Sequence, residues 1–148
     1  MSRPLCALAI AALACLAGGS EAQSASTPTI PAIASQAVGI WINPRGSVKV
    51  QTGACAGSAA GDLCGWVVWA SPQAETDARD SGVSQLMGTE LLRGYRTVGH
   101  GLYRGQVYVP DMGRTFYSTI EQRGANDLKI SGCILGGLLC KSQDWHRA

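Results

Sequence analysis

From Gln36 to the C-terminus the chain alternates short apolar and β-branched runs with clusters of Gly, Pro, Asn and Asp. The clearest unit is a pair of β-rich runs, Leu102–Val109 and Arg114–Gln122, flanking Pro110-Asp111-Met112-Gly113. Proline has a fixed φ and no N–H, so it suits the end of a strand. Asp can bond its own turn backbone, and Gly at the fourth position can adopt positive φ, as a bulged type I hairpin requires.

The same grammar recurs on both sides of this hairpin. Ala37–Ile42 predicts a first strand, ended by the turn residues Asn43-Pro44-Arg45-Gly46. Val48–Thr52 alternates and predicts a second. Leu63–Ala70 carries bulk on both faces, which fits a strand covered on each side. Leu91–Val98, with a bend at Gly94, Leu128–Cys133 and about Lys141–His146 complete a set of eight. Residues 71–88 are the irregular part. Ser71-Pro72 breaks the third strand, charge gathers between Glu75 and Asp80, and no apolar stripe supports a packed helix, although a short helical turn would fit. Long connections carry function more often than short ones, but a solvated strap across one end of the sheet is the simpler account.

Eight closely spaced strands with short turns predict an all-β fold, either an eight-stranded antiparallel up-and-down barrel or a two-sheet sandwich. The barrel is preferred because closure removes exposed edge strands. An interior of this size can be filled by side chains or can hold one small ligand.

The first residues must be set apart from this domain, which is assigned to 37–148. Arg3 precedes an uncharged apolar run from Leu5 to Ala17, and Ser20-Glu21-Ala22 offers small residues at the −3 and −1 positions of a cut before Gln23. That pattern predicts a secretory signal peptide over 1–22, since the apolar run falls short of the ~20 residues of a membrane span. Lipidation at Cys15 is disfavoured, because Ala12 stands where a lipoprotein signal prefers Leu. Residues 23–36, rich in Ser, Thr, Ala and Pro, read as a flexible arm. Export from the cytoplasm is expected.

Composition adds two exclusions. The 148 residues are 46% apolar and 15% charged with 19 glycines, which suits one turn-rich domain. A net charge of +2 with scattered basic residues gives no reason to expect a nucleic-acid partner. Cys55, Cys64, Cys133 and Cys140 remain beyond the signal and allow three pairings in an oxidising compartment. The spacing favours the local pairs, Cys55 with Cys64 and Cys133 with Cys140, each closing a turn. Neither pair has zinc spacing, and His100 and His146 are not placed as metal ligands.

No nucleophile with a base, carboxylate pair, metal cluster or phosphate loop occurs at a working spacing, so no catalytic residue, metal or cofactor is assigned and an enzyme is not expected. Asp111 and Arg114 sit at a hairpin tip, where Asp ordinarily caps its own backbone. The aromatic residues carry the remaining signal. Trp66, Trp69, Tyr95, Tyr103, Tyr108, Phe116 and Tyr117 are the candidate ligand-binding set, flat rings with a few polar tips. Trp41, Trp69 and Trp145 also suit core or end-plug packing. Alternation puts Phe116, Ser118 and Ile120 on one face and Thr115, Tyr117 and Thr119 on the other, with the inner face undecided.

Gly39-Ile40-Trp41, Leu63-Cys64-Gly65-Trp66-Val67-Val68-Trp69, Tyr103 through Tyr117, and Leu128–Cys133 through Cys140-Lys141-Ser142-Gln143-Asp144-Trp145 together resemble the DUF2147 family of small exported bacterial proteins. The resemblance covers roughly residues 38–148. It implies a lipocalin-like (calycin-like) barrel in a Gram-negative periplasm, and it makes Trp41 similar to the barrel-closing tryptophan of such folds. It supplies no catalytic residues. Two readings of function follow: a binding module holding a small, mostly apolar molecule inside the barrel, or a packed barrel acting as an envelope-associated protein-interaction or structural module. Trp66 and Val68 are candidates for an outer patch in the second.

Overall fold

A computed structural model describes residues 36–58 and 62–148. The expected signal peptide and all but Gln36 of the expected arm lie outside the described residues. The chain forms a closed antiparallel barrel of eight strands in sequential order. These are β1 (Gly39–Ile42), β2 (Val48–Ala54), β3 (Leu63–Ala70), β4 (Glu90–Gly99), β5 (Leu102–Val109), β6 (Arg114–Gln122), β7 (Asp127–Ile134) and β8 (Leu139–Arg147). Closure rests on a short seam between β1 and β8, with Trp41 opposite Arg147 and Ile42 opposite His146.

Turn chemistry fixes the register. Between β5 and β6, Pro110–Met112 forms a single 3-10 turn and Gly113 follows at φ 60°, the left-handed position the sequence reserves for glycine. The register that results pairs Val107 with Phe116 and Gly105 with Ser118. Gly94, at φ 55°, lies where the β4–β5 register slips between Arg93 and Arg96. Both disulfides are the local ones. Cys55–Cys64 clips the β2–β3 connection, and Cys133–Cys140 joins directly opposed residues of β7 and β8.

Residues 71–88 are more ordered than the sequence suggests. Pro72–Asp80 forms a nine-residue helix, α1. Ser71 caps it, its hydroxyl accepting from the Ala74 N–H at 3.2 Å, and Pro72 occupies a first-turn position where a missing N–H is harmless. The helix packs through Ala78, which is buried, and Ala74, which is partly so. A stripe of two methyl groups is enough to seat a helix and too slight to read as amphipathic. Beyond it, the Thr89 carbonyl accepts from Val67 N–H and the Val67 carbonyl from Gly88 N–H, stitching the connection to β3.

Strand alternation then settles the interior. Val50, Thr52, Val67, Tyr103, Ile120, Leu128 and Ile130 point inward. Ser118 and Ile120 are buried, so the Phe116–Ser118–Ile120 face is the inner one.

Candidate functional site

One end of the barrel is sealed by a polar clasp around Trp41. The Trp41 Nε1–H lies 3.1 Å from both the Ala37 carbonyl and Thr52 Oγ1. Thr52 Oγ1 in turn donates to the Ala37 carbonyl at 2.5 Å and accepts from Gly39 N–H at 3.1 Å. Outside this layer the Arg147 guanidinium stacks on the Trp41 ring, 4.3 Å from its centre. It donates to the carbonyls of Gln36 (2.7 Å), Val38 (3.2 Å) and Ala125 (3.0 Å). The last strand therefore holds the segment before β1 across the barrel end. Gly39 leaves room for it, since a Cβ there would collide with the guanidinium.

The middle of the barrel is filled because two inward glycines admit large neighbours. A Cβ on Gly65 would lie 2.9 Å from Leu92 and Val50, and one on Gly105 would lie 2.7 Å from the Tyr95 ring. Tyr95 and Tyr103 are accordingly buried on the sealed side of the interior. Burial pushes the Tyr95 hydroxyl well above its ordinary pKa, opposed in part by the Ser118 hydroxyl beside it. Tyr103 is raised by the same cause.

Above this plug the barrel is hollow. A cavity of about 660 Å3 opens at the end formed by the β1–β2 turn, α1 and the β5–β6 and β7–β8 turns. Its walls are apolar: Val48, Leu86, Leu91, Val107, Phe116, Ile130 and Trp145. Gly132, opposite Lys141 in the register, leaves the β7 wall bare. The rim is polar, with Asn43, Arg45 and Lys141 on one side and Asp77 and Asp111 on the helix side. The Ser81 hydroxyl donates to the Asp111 carbonyl at 3.0 Å, tying the end of α1 to the β5–β6 turn.

The seven sequence candidates divide. Phe116 lines the cavity, and Tyr108 borders it, with the Arg93 guanidinium 4.8 Å from its ring centre. Tyr95 and Tyr103 are buried but do not line it. Trp69 is 41% exposed under the Lys49 ammonium and Tyr117 is 45% exposed; both lie away from the cavity. Trp66 is half-buried and shares the outer face with Gln51 and Cys64. Trp145, which sequence reasoning assigned to packing, also forms part of the cavity wall, its indole N–H held by Gln143 Oε1 at 3.1 Å. Val107, Ile130, Gly132 and the Arg147 clasp were missed altogether. Inward alternation from Ser118 would have found the first three had the inner face been known. His146 Nδ1 lies 2.6 Å from Asp127 Oδ1. Among the described residues no group of three or more His, Cys, Asp or Glu could hold a metal ion, and no helix is long and apolar enough to cross a membrane.

A closed eight-stranded up-and-down barrel, sealed at one end by a tryptophan and an arginine and hollow at the other, is a lipocalin-like fold. Within that class the chain belongs to the family described as "Uncharacterized protein conserved in bacteria (DUF2147)", which it matches over residues 39–147. Among solved structures it is similar to a protein from the human pathogen Helicobacter pylori described as belonging to the lipocalin family. The TM-score is 0.56 at 17% identity, covering 75% of this chain and 82% of the other. No curated protein matches the sequence significantly.

Proposed function

We propose that this is an exported, periplasmic, non-enzymatic binding protein for a small, mostly apolar molecule held in the open half of the barrel. The observation that carries the proposal is the cavity of about 660 Å3, within the roughly 300–1,000 Å3 of ordinary ligand sites and walled by aliphatic and aromatic side chains. Of the seven candidate aromatics, Phe116 and Tyr108 are the ones proposed to touch the ligand, joined by Val107, Ile130 and Trp145. Export is supported by the apolar N-terminal run with its small-residue cleavage site and by two disulfides, bonds that persist in oxidising compartments.

The test is native and denaturing mass spectrometry on protein secreted to a bacterial periplasm, followed by titration with the apolar fluorophore N-phenyl-1-naphthylamine. The expected results are a chain beginning at Gln23 and saturable one-to-one binding of the probe, accompanied by a change in tryptophan emission. Absence of saturable probe binding to folded protein that also carries no bound mass would overturn the binding reading. Retention of residues 1–22 would overturn the export reading.

A further inference from the structure

The most exposed apolar side chains of the barrel are gathered in one place. The β7–β8 hairpin tip, Ile134-Leu135-Gly136-Gly137-Leu138-Leu139, leaves Leu135 72%, Leu138 88% and Leu139 61% exposed, and Met112 on the adjoining turn is 58% exposed. Ile134 and Leu139 are also cavity-lining residues, so the tip is continuous with the mouth. Its base is pinned by the Cys133–Cys140 disulfide. Leu135 stands at φ 54°, a left-handed position that suits Gly or Asn and is uncommon for leucine. An aliphatic side chain is thus displayed to solvent from a backbone site that disfavours it.

The flanking charge is asymmetric. Arg45 and Lys141 line one surface depression beside the tip, together with Asp144 and His146, and Arg114 begins the neighbouring strand β6. None of the three forms an ion pair among the described residues. The carboxylates of the mouth, Asp77 and Asp111, lie on α1 and on the turn tied to it by Ser81. A small convex tip of Ile and Leu, without aromatic anchors and flanked by unpaired cations, matches a surface that is apolar beneath and anionic above.

We propose that the β7–β8 tip dips into an anionic lipid bilayer and seats the cavity mouth on it, so that an apolar ligand exchanges between membrane and barrel without crossing water. The exchange step rests on the binding reading given above; the membrane contact does not. The bilayer, rather than a second copy of the chain, is favoured because like-charged tips would face one another in a symmetric pair.

The experiment is flotation of the chain, as the host cell processes it, with vesicles of phosphatidylethanolamine and phosphatidylglycerol, compared with phosphatidylcholine alone. The double variant L135N/L138N is the control. Asn is at ease at the positive φ of residue 135, and both sites are on the surface, so the fold is retained. Wild type is expected to float with the anionic vesicles, to be released by salt and to bind phosphatidylcholine weakly. Each leucine removed is expected to weaken flotation roughly ten-fold or more, while N-phenyl-1-naphthylamine binding in vesicle-free buffer stays unchanged. Failure of wild type to float, flotation of the double variant equal to wild type, or a dimer in solution that the variant abolishes would each overturn the membrane seat. Loss of probe binding in wild type with flotation intact would sink the cavity reading alone.

Discussion

Arg147 gives the most direct test of how the barrel is sealed. Replacing it with Ala removes three charge-assisted hydrogen bonds to the carbonyls of Gln36, Val38 and Ala125 and the stack on Trp41. The side chain is solvent-accessible, so each bond is taken at the low end of the usual range, about 0.5 kcal/mol. The cation–π contact adds about 0.5–1 kcal/mol at an exposed site. The sum is about 2 kcal/mol, which at a urea slope of about 2 kcal/mol/M lowers the unfolding midpoint by about 1 M. Both disulfides must stay oxidised, and tryptophan emission provides the signal. Lys at this position keeps the charge but lacks the planar fork, and it should recover less than half of the loss. An Arg147→Ala midpoint within about 0.2 M of wild type would show that the segment before β1 is held by Trp41 and Thr52 alone.

Thr52→Val, nearly isosteric, leaves Gly39 N–H without its acceptor and strips the Ala37 carbonyl of one donor. It should cost about 1–3 kcal/mol, readable in the same urea titration. Tyr95 sets the alkaline limit. Its folded-state pKa is raised above the 10.0 of an unfolded tyrosine, so the folded state holds that proton more tightly. The contribution to stability is therefore complete below about pH 10 and is lost as pH rises beyond it. Tyr95→Phe should flatten the fall in thermal midpoint between pH 9.5 and 11, and an unchanged slope would assign the limit to Tyr103 or to other groups.

The barrel was legible because its turns are local chemistry. Pro110 and Gly113 specify one hairpin, the alternating runs specify the others, and the two cysteine spacings match turns that place each pair within reach. The helix was legible only as a short turn, and its packing not at all, because its buried face is Ala74 and Ala78, which contribute little hydrophobic contrast. The cavity lining was half legible. Aromatic composition pointed to a pocket, but a period of two cannot say which face is inner, so Trp69 and Tyr117 joined the candidates with Phe116 on equal terms. Arg147 was invisible for a different reason: its partners are backbone carbonyls, which no side-chain motif records.

Three inward glycines explain why one barrel is both packed and hollow. Gly65 and Gly105 are spaces already taken, by Leu92 with Val50 and by Tyr95. Gly132 instead faces the cavity, where a Cβ would make ordinary van der Waals contact with Val107 at 3.4 Å. The same class of substitution should therefore act in opposite directions. Gly105→Ala drives a methyl into the Tyr95 ring and the Arg93 carbonyl at 2.8 Å and should destabilise by about 2 kcal/mol or more through overpacking. Gly132→Leu projects into the cavity, replaces glycine within a strand and buries new apolar area, and should leave stability equal or up to about 1 kcal/mol higher. It should also abolish binding of N-phenyl-1-naphthylamine, whereas Gly105→Ala, if it folds, should keep it. Urea midpoints and probe titrations on the two variants separate filled barrel from hollow barrel. A Gly132→Leu protein as destabilised as Gly105→Ala would mean that the upper half closes in solution, and that the cavity is not the site of function.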